Sequence, residues 1–433
     1  MKKRLWAILL AICLVVTLLP TMAFAADSSG APLQNLYVNG ESIVSDGVLT
    51  ENTVDGAVYD ADTNTLYLDS INITTGYTYD NENKKSAGIY GDGDLNIVLT
   101  RTNSISDIGS NRGVYVTGNL TIAGTGDLVS HASGIYAGSI VMQTTGEVHL
   151  TASSACLYST VGDIEIKSGN FNLQATSPSW AQVVYSAKGL NICGGNINIS
   201  APAGDTATYT YGVYVDNGDL IIDDAIVVSA AKQDSFYAKG HVVINSGNVE
   251  APNGIRAQNN GTVSITGGEV AVGGRGIDTT DSIYLLGGTI NFSGKKLSAY
   301  KTIFIDKPVI KLTNTETLRL DGTTYIFNTI GDFTYQLYST VQTAIAYIAD
   351  TDRTESISYY EGTETIGNKT ITYIKGNLAY GDNGVIVKDV LPPVTGTLLS
   401  PIKEAFVFDG WYDNKNYSGD ATTSYGNGKT YYA

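Results

Sequence analysis

The sequence predicts an all-β protein that folds as a right-handed, single-stranded parallel β-helix, and three observations support this fold class. The chain of 433 residues has 48 glycines and 29 tyrosines but only 9 prolines and 3 methionines, which is typical of many short strands joined by tight turns. An apolar residue followed by tyrosine recurs along the first half of the chain. Segments that alternate apolar and polar residues fill the intervals.

Residues 1–25 are predicted to be a secretory signal peptide that is not part of the fold. Lys2, Lys3 and Arg4 precede an apolar run, and Ala23-Phe24-Ala25 matches a cleavage site. We therefore expect an exported protein, secreted or at the bacterial cell surface, without membrane insertion after cleavage. Cleavage removes three positive charges and no negative ones, so the mature chain is more acidic than the formal net charge of −16 indicates. Such acidity argues against nucleic acid and anionic membranes as partners and is compatible with sugars or cations.

Residues 26–84 are predicted to form an N-terminal β cap over the open first coil, because a solenoid leaves its end coils without a neighbour. Within this segment, "GAVYDADTNTLYLD" predicts a hairpin with Asp60 to Asn64 in the turn.

Residues 85–312 are predicted to form the β-helix itself, with about ten coils. Repeats of about twenty residues that contain only strands and turns are typical of a solenoid, whereas an antiparallel sandwich is the alternative. One apolar residue marks each repeat, and the markers are expected to be buried and stacked. They are Ile89, Val114, Ile135, Leu157, Val184, Val213, Phe236, Ile255, Ile277 and Leu297.

The tyrosine that follows each of the first seven markers is expected to point outward, because side chains alternate along a strand. Coils stacked about 4.8 Å apart would align these rings into a ladder. An aromatic ring face can lie flat against a sugar, so the ladder is a candidate carbohydrate-binding face; the alternative is a scaffold that stabilises neighbouring strands. The ladder residues are Tyr90, Tyr115, Tyr136, Tyr158, Tyr185, Tyr214 and Tyr237.

The rest of the chain is predicted to be a β-rich connecting region at 313–390 and a small β-rich module at 391–433. Within the connecting region, "VQTAIAYIAD" at 341–350 predicts a short helix. In the module, "FDGWYDNKNYSG" followed by "KTYYA" resembles the Listeria–Bacteroides repeat of bacterial surface proteins. That family closes with a tryptophan just after the position of Ala433, so the resemblance implies a partial repeat.

Residues 35–312 also resemble a known family. "NTLYLDSINIT", "DLNIVLTRTNSI" and the recurring "GIY" are similar to bacterial secreted right-handed β-helices described as carbohydrate-binding. The resemblance implies a polysaccharide or a cell-surface glycan as the partner. Some members of that family bind pectin-type polysaccharides and calcium.

Calcium is the cation that the turns suggest, although no cofactor is required by the predicted fold. "GDGDL" and "DNGDL" place Asp92 with Asp94, and Asp216 with Asp219, around a glycine turn at the same position of two coils. Oxygen ligands on turns suit calcium. The alternative is that aspartate occurs there because it forms turns.

The two cysteines after the signal peptide, Cys156 and Cys193, lie at different positions of the repeat, which predicts two free thiols. No triad or zinc site is indicated, because the histidines are scattered through separate coils. Asp223-Asp224 is the only adjacent acidic pair and falls in a turn.

The sequence therefore predicts an exported, non-catalytic glycan-binding or adhesion protein. The first alternative is a calcium-dependent, pectate-type polysaccharide lyase. Arg256 replaces the ladder tyrosine of its coil, and Arg275 is close in sequence to Asp278 and Asp281. The second alternative is a stalk or spacer without a ligand.

Overall fold

The computed structural model describes residues 32–305, apart from 107, 109–111 and 132, and beyond them the strands named below with residues 308, 412, 416 and 418–421. Within this described part, every regular element is a β-strand and there is no helix. The strands wind into about nine turns of a parallel β-helix, which confirms the predicted all-β, parallel β-helix fold.

Each coil contributes strands to three faces, and each strand pairs in parallel with its counterpart in the next coil. The tyrosine face consists of Lys85–Asp92, Arg112–Val116, Gly134–Ala137, Leu157–Ser159, Trp180–Ser186, Tyr209–Val215, Phe236–Ala238, Ile255–Ala257, Gly276–Thr279, Lys296–Ala299 and Thr317–Asp321.

The second and third faces share two long strands, Ser139–Ala152 and Ile164–Ala175, which run from one face into the next. The other strands of the second face are Thr65–Asp69, Leu95–Thr100, Asn119–Gly124, Leu190–Ile192, Leu220–Ile222, Val242–Ile244, Val263–Ile265, Ile283–Leu285, Thr302–Ile305 and Thr324–Phe327. The other strands of the third face are Asn72–Ile73, Thr102–Ile105, Asp127–Ser130, Asn196–Ser200, Ile226–Ala230, Asn248–Ala251, Glu269–Val272, Thr289–Phe292 and Val309–Leu312.

The core is a set of aliphatic columns that run along the solenoid, one from each face. All ten markers are buried, and each pairs in register with the marker of the next coil. The second face adds pairs such as Ile140 with Ile164, and the third adds pairs such as Phe171 with Ile197. The predicted burial and stacking of the markers is therefore confirmed, and the predicted antiparallel alternative does not apply to these coils.

The glycine of the "GIY" motif is explained by the close approach of the next coil. A Cβ atom on Gly134 would lie 2.2 Å from the carbonyl oxygen of Ala155, a distance that no real side chain tolerates. On Gly212 it would lie 1.9 Å from Ser229 Oγ and 2.8 Å from the carbonyl oxygen of Ser235. At these two positions a side chain would push neighbouring coils apart.

The N-terminal strands pair antiparallel and lie against the first coil. They are Asn35–Val38, Glu41–Ser45, Val48–Leu49, Ala57–Asp60 and Tyr77–Asp80. Asn35–Val38 pairs with Lys85–Asp92 of the tyrosine face, so it occupies the edge that the first coil would otherwise expose. Ala57–Asp60 pairs with Thr65–Asp69, which confirms the predicted hairpin.

Beyond the parallel coils, the described strands are antiparallel, apart from Phe333–Ser339, which pairs in parallel with the last strand of the tyrosine face. The remaining strands are Ala344–Ala349, Thr354–Ile366, Lys369–Tyr380, Val385–Leu391 and Lys429–Tyr432. Ala344–Ala349 pairs with Phe333–Ser339, so the helix predicted at 341–350 is wrong over these residues. Most of the predicted module at 391–433 lies outside the described residues.

Candidate functional site

The seven predicted tyrosines lie in register on the tyrosine face. Tyr90 pairs with Tyr115, and each further tyrosine pairs with its counterpart one coil along as far as Tyr237. Their flanking residues point inward and are buried. The predicted ladder is therefore present, and the coil spacing sets its period.

Five consecutive rings of this ladder form a continuous stack. The members are Tyr136, Tyr158, Tyr185, Tyr214 and Tyr237. Neighbouring ring centroids are 4.3–5.8 Å apart and their planes differ by 13–20°. The ring faces therefore meet one another rather than the solvent, which differs from the flat sugar contact expected from the sequence. The stack therefore presents ring edges rather than ring faces to a ligand, and its hydroxyls lie near other polar groups: Tyr185 hydrogen-bonds with Asp216 and Tyr158, and Tyr237 with Tyr214.

The stack is separated from the first two rungs by an arginine. The guanidinium carbon of Arg112 lies 4.4 Å from the ring centroid of Tyr115 and 4.7 Å from that of Tyr136, which is cation–π geometry on both sides. Tyr79 packs beside Tyr115, at a centroid distance of 4.7 Å. Sequence reasoning missed both Arg112 and Tyr79, because neither is at the repeated position.

The ladder is partly covered. Tyr136 and Tyr237 keep only 9% and 8% of their surface exposed, while the other five tyrosines are half-buried. Tyr211 packs on the ring of Tyr237, at a centroid distance of 5.5 Å, and beside Tyr214 at 5.3 Å. Within the five-ring stack, the rungs that a ligand can reach are therefore Tyr158, Tyr185 and Tyr214.

Three of the ladder hydroxyls, those of Tyr90, Tyr185 and Tyr237, remain protonated at neutral pH. Burial raises the pKa of Tyr90, Tyr185 and Tyr237 to about 12. A protonated phenol both donates and accepts a hydrogen bond, so these hydroxyls can hydrogen-bond to hydroxylated ligands.

A second aromatic pair lies beside the ladder and was not singled out from the sequence. Trp180 and Tyr209 are 55% and 57% exposed, and their ring centroids are 6.0 Å apart with planes 46° apart. They lie at the start of the strands that carry Tyr185 and Tyr214. The only sequence sign of this pair was that two coils are longer than their neighbours.

Beyond Tyr237 the ladder position is occupied by charged residues. Arg256 pairs with Tyr237, and Asp278 pairs with Arg256. The Arg256 Nε atom lies 3.6 Å from Asp278 Oδ2 and 3.6 Å from Asp234 Oδ2. Arg275 Nε lies 3.9 Å from Asp234 Oδ1. The two arginines of the lyase alternative thus meet at one carboxylate, Asp234, which the sequence analysis did not identify.

Asp234 is a buried acid with an unusual environment. Its side chain is 1% exposed, and within the described structure its Oδ2 atom makes no hydrogen bond. Burial raises the pKa of this carboxyl from 3.8 to about 6; Arg256 opposes the rise, and Asp278 adds to it. The group is placed to change its charge in mildly acidic conditions, but it is not open to a large ligand.

The four aspartates predicted as calcium ligands each contact a protein group. Asp94 Oδ1 accepts a hydrogen bond of 2.7 Å from the backbone nitrogen of Asn119. Asp219 Oδ1 accepts one of 2.7 Å from the backbone nitrogen of His241. Asp92 accepts from Thr117 Oγ1 at 3.1 Å, and the Lys239 ammonium lies 2.6 Å from Asp216. These bonds tie successive coils together. Among the described residues, no cluster of three or more metal-binding side chains is found, so calcium at these acids stays a prediction.

The thiols are free, as predicted. Cys156 is buried, and Cys193 is exposed. Burial raises the pKa of the Cys156 thiol to about 12, so it stays protonated and behaves as a small core residue.

Comparison with known proteins gives no assignment for this site. No family model, no curated protein and no solved structure matches the chain. In the described part of the chain, no helix is long and apolar enough to cross a membrane. The function of the tyrosine face is therefore inferred from its geometry and chemistry alone.

Proposed function

We propose that this chain is an exported, non-catalytic protein, secreted or at the bacterial cell surface, that binds polysaccharide or a cell-surface glycan through its tyrosine face. The observation that carries the proposal is the in-register ladder of seven tyrosines. Thr or Val would pair the strands as well, so strand pairing alone does not require tyrosine at each rung. Tyrosine adds a hydroxyl at every coil.

The stacked rings suit a long, linear ligand better than a compact one. Rungs repeat every 4.3–5.8 Å, and each carries a hydroxyl that can bond to a sugar oxygen. A single neutral hydrogen bond contributes about 0.5–1.5 kcal/mol. Because several rungs can engage one chain at once, weak contacts add along a polymer.

The test separates the hydroxyls from the ring stack. The Phe triple variant combines Tyr158→Phe, Tyr185→Phe and Tyr214→Phe. It keeps the rings and their stacking but removes three hydroxyls. The matched control is Tyr284→Phe, a half-buried tyrosine on the second face. Binding is measured by affinity electrophoresis through gels that contain xylan, mannan, a soluble β-glucan or polygalacturonate, with and without calcium.

The triple variant is expected to bind at least about tenfold more weakly than the wild type, whereas the control binds normally. The melting temperature of the triple variant should fall by no more than a few degrees, because the lost hydroxyls of Tyr185 and Tyr214 also hydrogen-bond with Asp216 and Lys239. Normal retardation of the triple variant would assign the ladder to the scaffold and favour a stalk without a ligand.

The lyase remains the second candidate, because Arg256 and Arg275 converge on Asp234. Both guanidinium groups face carboxylates, which suits a structural ion cluster better than a base that removes a proton. We expect no unsaturated product from polygalacturonate with calcium. Turnover that disappears in Arg256→Ala or Arg275→Ala would establish the lyase instead.

A further inference from the structure

Two consecutive coils carry an extension beside the ladder. The strands Trp180–Ser186 and Tyr209–Val215 have seven residues each, whereas Leu157–Ser159 and Phe236–Ala238 on either side have three. The additional residues continue the parallel pairing, with Trp180 opposite Tyr209. The extension is therefore an ordered two-stranded shelf.

The backbone of the shelf is fixed by polar contacts. Thr208 Oγ1 donates to the carbonyl oxygen of Ser179 at 2.6 Å, and Thr210 Oγ1 donates to that of Pro202 at 2.7 Å. The Gln233 amide donates to the carbonyl oxygen of Thr208 at 2.8 Å. A surface held in this way loses little conformational freedom when a ligand binds.

The shelf exposes aromatic surface that the ladder conceals. Ala181 and Thr210 point inward and are buried, so Trp180 and Tyr209 point outward. Their planes are 46° apart and their centroids 6.0 Å apart, so the two rings do not cover each other as the stacked ladder rings do. More than half of each residue is open to solvent. Among the described residues, this pair is the open aromatic surface adjoining the ladder.

The pair is continuous with the ladder through one further ring. Tyr211 lies two residues after Tyr209 on the same side of the strand, and its ring contacts Tyr214 and Tyr237. A ligand that crosses from the shelf to the ladder therefore follows aromatic groups throughout.

The size and charge of the pair indicate its occupant. A Trp or Tyr side chain offers roughly 150–250 Å², so two half-exposed rings present about 200–250 Å², well below the roughly 800 Å² per partner of a stable protein interface. The segments 177–182 and 204–211 contain a single charged residue, Asp205. A small, flat, uncharged ligand face fits this surface.

We propose that Trp180 and Tyr209 form a platform on which a neutral pyranose ring of the bound glycan stacks, while the ladder hydroxyls bind the rest of the chain. This inference rests on the proposed glycan-binding function. It assigns the flat ring contact to the shelf and the hydrogen bonds to the ladder.

The platform carries its own spectroscopic reporter. The chain has three tryptophans, of which Trp6 lies in the predicted signal peptide, so Trp411→Phe leaves Trp180 as the single tryptophan of residues 26–433. Titration of this variant with xylan, mannan or the soluble β-glucan is expected to change the emission of Trp180. The same titration with polygalacturonate should change it less, because its uronate rings are charged.

Affinity electrophoresis of Trp180→Ala with Tyr209→Ala supplies the second measurement. This pair of changes is expected to weaken binding to the neutral polymers about tenfold or more, whereas Trp180→Tyr should retain most of the affinity. The variants should unfold at the wild-type temperature, because both residues are exposed.

Three results would overturn the inference. Normal binding by the Ala pair, together with loss of binding in the Phe triple variant, would remove the platform but leave the proposed function intact. Absence of binding by the wild type to any probe would remove both. Self-association of the wild type in sedimentation experiments that the Ala pair abolishes would assign the platform to a second copy of the chain.

Discussion

Truncation of one marker should measure how much a single rung of the core contributes to stability. Ile135 is buried between Val114 and Leu157, one coil on each side. Ile135→Ala removes three carbon groups, worth about 2.4 kcal/mol in lost burial at about 0.8 kcal/mol each. The cavity adds to this, for a total of about 2–5 kcal/mol.

The upper part of this range is expected for a physical reason. The backbone of Ile135 donates a 2.7 Å hydrogen bond to the carbonyl oxygen of Cys156 in the next coil. Since such bonds fix the spacing of the coils, the neighbouring columns cannot collapse into the hole.

The assay is equilibrium unfolding in urea followed by far-ultraviolet circular dichroism, with the midpoint compared at constant slope. The control is Val141→Ala, a half-buried outward residue in the same coil, which should cost less than about 1 kcal/mol. The stacked-core explanation is refuted if Ile135→Ala costs no more than Val141→Ala.

Three further predictions concern a coil contact, a buried charge and the N-terminus. Gly134→Ala should destabilise the protein by about 1–3 kcal/mol or more, because the new Cβ would lie 2.2 Å from a carbonyl oxygen. The control, Gly204→Ala, should not destabilise it, because no atom lies within 4 Å of that Cβ. Equal urea midpoints for the two variants would contradict this prediction. The native state holds the Asp234 proton more tightly than the unfolded chain, so this group lowers the free energy of unfolding as the pH rises from about 4 to about 6. The free energy of unfolding should fall by about 3 kcal/mol for that rise in pKa, and Asp234→Asn should remove this fall. Superimposable pH profiles of stability for the wild type and Asp234→Asn would rule the prediction out. If the chain is exported as proposed, mass spectrometry should find Ala26 at its N-terminus, and an intact residue 1–25 segment would disprove the cleavage.

The repeat and its buried markers could be predicted from the sequence because each coil contains the same local pattern of residues. Every marker is apolar, precedes a turn and falls at a similar spacing, so burial of residues such as Ile89 and Leu297 followed from their position alone. The hairpin at Asp60 to Asn64 was predictable for the same reason, since turn residues separate two alternating segments.

What the sequence could not supply was contact between positions that lie outside the repeat. Asp234 meets Arg256 and Arg275 only because the coils stack, and nothing in its own segment distinguishes it from a turn residue. Arg112 reaches the ladder from beside a bulge in its strand. Trp180 and Tyr209 lie in insertions. These insertions interrupt the repeat of about twenty residues from which the positions of the ladder tyrosines were predicted.

The incorrect helix at 341–350 has a different cause. Its alanines favour a helix in isolation, but Ala344 and Ala346 alternate with Ile345 and Tyr347, which is the period of a strand. The neighbouring strand Phe333–Ser339 supplies the hydrogen-bonding partner, and tertiary pairing overrides the local preference.

The parallel stacking also determines how the molecule responds to a pulling force. Force applied along the solenoid axis acts along the hydrogen bonds that join one coil to the next, so coils should detach one at a time from an end. Coils of 19–29 residues, at roughly 3.3–3.6 Å of extended chain per residue, would each release about 60–100 Å. At the N-terminal end, peeling must first remove the antiparallel strand Asn35–Val38 from Lys85–Asp92. A protein attached to a cell at one end and to a polymer along its side would lengthen in steps under shear flow, as single coils unfold, before its attachment to the polymer breaks.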